Sequence, residues 1–130
     1  MTERIVVVAA VVETNGSFLV TRRLDGTHLA GYWEFPGGKV HPGETLEAAL
    51  QREMAEELDT DVIAAREIYR TSHQYPERTV ELHFFRADLA RAPRPVLGQE
   101  IRWIRRGEFA ALPFPPADRE LVDGLIDARL

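Results

Sequence analysis

The chain contains no cysteine. Disulfides, thiolate catalysis and cysteine-ligated zinc are therefore excluded, and the composition fits a reducing compartment, the cytoplasm. There is also no excess of positive charge: 16 Lys and Arg face 21 Asp and Glu, a formal net charge of −5. That argues against a protein that grips duplex DNA or RNA by its phosphates. A small phosphorylated ligand stays open, because a divalent cation can supply the missing charge. Long hydrophobic runs are missing too. The apolar stretch "IVVVAAVV", Ile5 to Val12, is too short to span a bilayer. Glu3 beside Arg4 is the wrong flank for a secretion signal, and no small-residue cleavage pattern follows. The stretch reads as a buried strand, and no membrane association is expected.

With 45% hydrophobic and 28% charged residues, the composition is that of an ordinary soluble globular protein. Residues 1–130 are expected to form one domain, large enough for a real core. Asn15-Gly16 marks a turn after Ile5–Val12, so Phe18–Thr21 is predicted to return as the second strand of a hairpin. Arg22 to Glu44 is rich in Gly and Pro, and a loop of that length in a compact domain is usually functional. Thr45 can cap a helix over Leu46–Leu58, which is built from strong helix formers. Val62–Tyr75 reads as a bending strand, pairing across "YPER" with a strand that places Val80, Leu82 and Phe84 on one face. "EIRWI" is a short strand. A closing helix follows, with Pro116 in its first turn and Leu121, Val122, Leu125 and Ile126 on one side.

The unusual segment is "REMAEELD", Arg52 to Asp59, with Glu53, Glu56 and Glu57 crowded on one predicted helix. Most acid-rich helical runs are solvated faces. Here, at about 100° per residue, Glu53 and Glu57 border the apolar arc of Leu46, Leu50, Met54 and Leu58 rather than opposing it, while Glu56 lies further round beside Arg52. Carboxylates beside buried surface and beside each other need a compensating cation. Arg52 alone cannot satisfy three of them, whereas a hard divalent ion with oxygen ligands can. Upstream, Gly37-Gly38-Lys39 reads as a plain turn or as a close backbone approach to phosphate, with Lys39 adding charge.

From Gly38 onward the order is Gly, five residues, Glu44, seven residues, Arg52-Glu53, Met54, one residue, Glu56-Glu57. This resembles the Nudix box, G-x5-E-x7-R-E-U-x-E-E-x-G-U with U a bulky aliphatic, and every charged position matches. Asp59 and Thr60 depart from its final Gly and aliphatic. The segments "TRR" ending at Arg23, "YWEFPGGK", "YPERTVELHFF" and "FPPADRE" are similar to MutT-type members, so the likeness covers most of the chain. The resemblance implies an α/β (α+β) Nudix fold, a mixed β-sheet sandwiched between α-helices. It also implies Mg²⁺-dependent hydrolysis (Mn²⁺ can substitute) of a nucleoside triphosphate to the monophosphate and pyrophosphate.

By resemblance, Glu53, Glu56, Glu57 and the carbonyl of Gly38 are metal ligands. Glu53 is a candidate to activate water, and Arg52 and Glu44 hold the ligands. Lys39 and Arg23 are candidate phosphate contacts, Arg23 having a surface charge as its equal alternative. Many relatives carry a further glutamate six residues before a strand tryptophan. Counting back from Trp103 lands on Leu97, and the nearest acid, Glu100, reads either as a metal-side acid on a remodelled loop or as a solvated strand residue. Phe35, Arg78 and Asp118 are candidate base contacts, with Phe114 the better fit to the core.

Asp118 stands where 8-oxoguanine-specific members place Asn. It has three readings: a protonated Asn mimic, an acceptor for an exocyclic amine, or a cap on the closing helix. The leading function is removal of an oxidised dNTP such as 8-oxo-dGTP. The alternative is CTP, dCTP or 5-methyl-dCTP hydrolysis, and a non-catalytic nucleotide-binding module comes after that. Monomer and homodimer are both open.

Overall fold

β1 (Glu3–Val11) carries apolar side chains on both faces, as a strand covered from two sides must. The computed structural model describes residues 3–130. After β1 come β2 (Glu13–Thr14), β3 (Ser17–Arg22), β4 (Trp33–Glu34), β5 (Gly37–Lys39), helix α1 (Leu46–Leu58), β6 (Val62–Gln74), β7 (Arg78–Leu89) and β8 (Ile101–Arg105). Two 3-10 segments, Arg106–Ala111 and Pro116–Asp118, then lead into helix α2 (Arg119–Ile126).

One sheet runs β5-β1-β7-β6. β1 is antiparallel to β5 but parallel to β7, and β7 is antiparallel to β6, so the sheet is mixed. Alternation along β1 divides the core. Ala9 and Val11 pack with Leu82, Phe84 and the α2 residues Leu121, Val122 and Leu125. Val8, Ala10 and Val12 pack with Phe85, Ala87 and the α1 residues Ala49, Leu50, Met54 and Leu58. The sheet is thus sandwiched between α1 and α2, and the mixed α+β class expected from the resemblance is the one found.

The Asn15-Gly16 turn forms with positive φ at both central positions, 52° and 80°, the backbone a two-residue hairpin requires. Its partners differ from expectation. It joins β2 to β3, and Phe18–Thr21 does not return along Ile5–Val12. Both edges of β1 are taken, by β5 and β7, so the chain leaves that sheet at Val12 and β3 pairs with β4 and β8 in a second one. β6 bends as expected, with register shifts against β7 between Val62 and Ala64 and between Glu67 and Tyr69. At the C-terminal end Pro116–Asp118 forms a separate 3-10 turn, and regular helix begins only at Arg119. Among the described residues, no helix is long and apolar enough to cross a membrane.

Candidate active site

Thr45 begins the site by accepting a hydrogen bond from Ala48 N at 3.0 Å, which starts α1 immediately after the β5 loop. That register lays Arg52 beneath the loop, where it acts as a hub. Its Nε and Nη2 donate to the two oxygens of Glu44 at 2.7 and 2.9 Å. Nη2 also donates to Lys39 O at 2.9 Å, and Nη1 reaches Glu53 at 2.8 Å and Glu56 at 3.3 Å. The paired guanidinium, helped by the His41 N–H, holds the Glu44 carboxyl down to about 2. Glu44 and Arg52 therefore stay ionised, locking the start of α1 to β5 and fixing where Glu53 can point.

The other end of α1 closes although the box departs from its pattern there. Asp59 takes the left-handed conformation, φ 52° and ψ 45°, and its N–H bonds Ala55 O at 3.2 Å. Thr60 is buried, but its hydroxyl exchanges two hydrogen bonds with the Arg91 backbone, at 3.0 and 3.1 Å, and so stands in for an aliphatic without leaving an unpaired group. The late loop caps the helix carbonyls: Arg94 N bonds Leu58 O, while Val96 N and the Gln99 side chain bond Glu57 O.

Glu53 is 9% exposed and Glu57 is half-buried beside it. Burial first, then the Glu53 and Glu34 charges, push the Glu57 carboxyl up to about 8. These acids lie in the C-terminal half of α1, whose last turn has no basic residue, so the helix dipole adds to the repulsion. Glu56 is exposed and turned to Arg52. Among the described residues no three acid or imidazole side chains form a closed ligand set. The donors nonetheless fit a hard divalent ion, being all oxygen and under-neutralised. The approach of β5 to α1 is also shaped for the Glu53 carboxylate: a Cβ on Gly38 would lie 2.5–2.6 Å from its carbon and both oxygens.

Two adjoining cavities open beside these carboxylates. The nearer, about 330 Å³, is lined by Gly37, Gly38, Lys39, Phe35, Glu57 and Asp118, among others. The further, about 600 Å³, is walled by Tyr75, Arg78, Val80, Leu82, Pro115 and Asp118 in part. Arg23 and Glu34 line both, and the pair is bonded at 2.7 Å. Arg23 is also tied to His28 O at 2.5 Å, through a loop whose ends meet where Arg23 N bonds Tyr32 O. Burial raises the Glu34 carboxyl, against the pull of Arg23. Burial, reinforced by Glu34 and opposed by Arg23, pushes Asp118 up to about 7.

The structure thus brings together Gly38, Lys39, Glu53, Glu57, Arg23, Phe35, Arg78 and Asp118, with Glu44 and Arg52 behind them. Phe35 is also core, stacked on Phe114 at 5.6 Å. Glu100 does not join them: it is exposed and paired with Arg102 at 3.0 Å and Arg22 at 3.6 Å, because β8 begins at Ile101 and carries it to the far side of β3. Leu97 and Gln99 line the small recess next to Glu57 instead. Asp118 makes no side-chain cap to α2. The sequence pattern does not single out Glu34. The available signal was an acid standing between Trp33 and Phe35, where neighbours on both sides are buried.

The NUDIX domain family matches residues 7–124. An 8-oxo-dGTP diphosphatase of Haemophilus influenzae is 35% identical over 130 residues, 98% of this chain and 96% of that protein. The CTP pyrophosphohydrolase of Escherichia coli K12 is 32% identical, covering 95% of this chain and 92% of that one. Among solved structures, MutT from a study of Aliivibrio salmonicida and Vibrio cholerae superposes with a TM-score of 0.82 at 28% identity, over 97% of this chain and 99% of that chain. The E. coli ORF135 protein does so with 0.86 at 32% identity, over 98% of this chain and 92% of that chain. With the box, the carboxylate cradle and these matches in agreement, the chain belongs to the Nudix family as a hydrolase of the MutT type.

Proposed function

We propose that this Nudix hydrolase cleaves a nucleoside triphosphate to the monophosphate and pyrophosphate, with 8-oxo-dGTP as the preferred substrate and cleansing of the nucleotide pool as the outcome. The observation that carries this reading is a crowded carboxylate pair, Glu53 and Glu57, beside a cavity whose base end holds the buried Asp118. Relatives of this chain named 8-oxo-dGTP diphosphatase, at 35% and 42% identity, support it.

In this reading Glu53, Glu57, Glu56 and the Gly38 carbonyl hold Mg²⁺, with Mn²⁺ able to substitute. When bound, the ion neutralises charge on the polyphosphate and favours deprotonation of water. Glu56 would join the set by leaving its contact with Arg52, which its exposed position allows. Arg52 and Glu44 keep Glu53 aimed. Lys39 faces the phosphates, while Arg23 and Glu34 stand between phosphates and base. With Glu100 on the far side of β3, Glu53 or Glu57 orients and deprotonates the water. Arg78 and Asp118 face the base, and Phe35 closes the cavity floor. This reading puts the activity in the cytoplasm, a location that a cysteine-free composition and a nucleotide substrate both support.

Hydrolysis of cytidine triphosphates is the second reading, favoured by the CTP pyrophosphohydrolase relative and by an acid where an amide would suit 8-oxoguanine. The test is pyrophosphate release with Mg²⁺ on 8-oxo-dGTP, dGTP, dCTP, CTP and 5-methyl-dCTP, ranked by kcat/KM. Glu53→Gln should lower turnover by at least about 10²-fold, since even outer partners of metal ligands cost 10–100-fold. A ranking led by the cytidine substrates would replace the first reading with the second.

A further inference from the structure

His83 is 4% exposed and lies outside the hydrolytic site. It stands on β7, on the face of the sheet opposite the nucleotide cavity, in an open groove of about 620 Å³ beyond the start of α1. Both of its ring nitrogens are taken. Nδ1 lies 2.6 Å from a Glu67 oxygen on β6, and Nε2 lies 2.6 Å from a Glu81 oxygen on β7. Each carboxylate has a second cation: Arg70 bonds Glu67 at 2.9 Å, and Arg4 of β1 bonds Glu81. Burial raises the Glu67 carboxyl, but the bonds from His83 and Arg70 outweigh it and hold the group below its ordinary value. The His83 bond, against burial and with help from Arg4, does the same for Glu81. Ionised carboxylates only accept, so both nitrogens must donate, and a ring that donates twice is the imidazolium. The arrangement depends on the bulge in β6. Residues three apart on a regular strand face opposite sides, yet the register shift between Glu67 and Tyr69 turns Glu67 and Arg70 to the same side, toward His83.

The other charges around the groove are Glu3 from β1, Lys39 from β5, and His41 and Glu44 from the loop after it. Glu44 is held by Arg52, and the other three are exposed, so solvent screens them. The chain of bonds Arg4–Glu81–His83–Glu67–Arg70 thus ties three strands together directly behind one wall of the nucleotide cavity. Val80 and Leu82, on either side of Glu81, point the other way and line that wall, and Tyr75 and Arg78 of the adjoining turn extend it. The catalytic carboxylates rest elsewhere, on α1, which packs over Ala10, Val12 and Ala87. Resting on the reading of the cavity as a nucleotide site, we propose that His83 is a positioning residue for substrate binding: its imidazolium clamps β6 to β7 and so fixes the wall against which the nucleoside lies. Loss of the ring proton turns a lone pair toward one carboxylate and opens the clamp. Binding then weakens as pH rises, and the hydrolytic step is untouched.

Glu67→Ala cuts the tie to β6 at every pH. It should raise KM for 8-oxo-dGTP, or for CTP if the cytidine reading holds, about fivefold, part of what one charge-assisted hydrogen bond carries, with kcat within about twofold of wild type. Glu81→Gln supplies the control for protonation, because an amide can donate to a bare ring nitrogen or accept from a protonated one. The ratio of wild-type KM to Glu81→Gln KM is followed from pH 6 to the pH at which the His83 ring-nitrogen resonances report loss of the proton. It should climb about fivefold with that loss, by the same hydrogen bond; ionisations of the substrate and of Glu57 are common to both enzymes and cancel. A Glu67→Ala KM within about twofold of wild type, a kcat that falls with it, or a His83 ring carrying a single proton at pH 6 overturns this inference and leaves the hydrolase reading standing. If no triphosphate is cleaved, the proposed substrate falls instead. Amide hydrogen exchange over residues 75–82 then decides the inference: it should quicken in Glu67→Ala, and rates equal to wild type overturn it. Should Glu67→Ala fail to fold, the Glu81→Gln series decides, a ratio that stays flat while the ring loses its proton being the refuting result.

Discussion

Adjacent glycines on β5 ought to fail in different ways when each is given a single methyl group. A Cβ on Gly37 would meet Val8 O at 2.0 Å and Ala9 Cα at 2.7 Å, both backbone atoms of the central strand. Neither can move without parting β5 from β1, whose pairing spans only Val7 to Ala9. Gly37→Ala should therefore cost stability at the upper end of overpacking, about 3 kcal/mol, which lowers Tm by roughly 10 °C in a domain of this size. The three atoms nearest a Cβ on Gly38 all belong to the Glu53 carboxylate, at 2.5–2.6 Å. That is the far end of a flexible side chain, so the fold can give by swinging Glu53 away. Restoring van der Waals contact takes a displacement of about 1 Å, and a misplacement of that size in a reacting constellation costs about 10²-fold in rate. Gly38→Ala should thus keep Tm within about 3 °C of wild type while kcat drops about 100-fold and the apparent metal affinity weakens. Thermal melts, pyrophosphate release and Mn²⁺ titration of the two variants side by side make the assay. A Gly38→Ala enzyme within threefold of wild-type kcat would refute the placement of Glu53 beneath this strand as the functional one.

Metal binding should be linked to protons through Glu57. Its carboxyl is raised from 4.5 to about 8, so the metal-free fold loses stability as pH climbs from below 5 through 8, and an ion that requires the carboxylate must displace the proton. Calorimetry at pH 7 in two buffers of different ionisation enthalpy should report release of about one proton per ion, falling toward zero by pH 9 and absent in Glu57→Gln; equal heats in both buffers would refute it. Asp59→Gly should raise Tm by about 2 °C with kcat unchanged. The left-handed backbone at Asp59 costs a non-glycine residue about 1 kcal/mol, only part of which is offset by glycine's greater chain entropy and by loss of the exposed contact with Arg94. A lower Tm would show that this contact outweighs the backbone term.

What the sequence made legible was local. Thr45 and the helix formers after it define α1 to the residue, and the inward lean of Glu53 and Glu57 follows from a 3.6-residue period alone. The Asn15-Gly16 turn is equally local, but its strands are not: which edge β3 meets depends on β1 being filled from both sides by segments far along the chain. Glu100 was ambiguous for a related reason. Its side follows from where β8 begins pairing with β3, and one residue of register separates the recess from the solvent. Glu34 gains its importance only in the fold, from Arg23 and Asp118, which other segments of the chain bring beside it.

The parallel pairing of β1 with β7, which sets Glu3 opposite Arg78 and Val11 opposite Arg86, also bears on how the chain comes into being. At ~5–20 residues per second, an interval of about 75 residues means that the apolar central strand emerges from the ribosome roughly 4–15 s before its longest partner. During that time it can pair only with the three residues of β5. Refolding from denaturant frees the chain from this order of appearance, but closure of the same long loop must still precede the contacts that reward it. Both routes leave an aggregation-prone interval that ends when β7 docks.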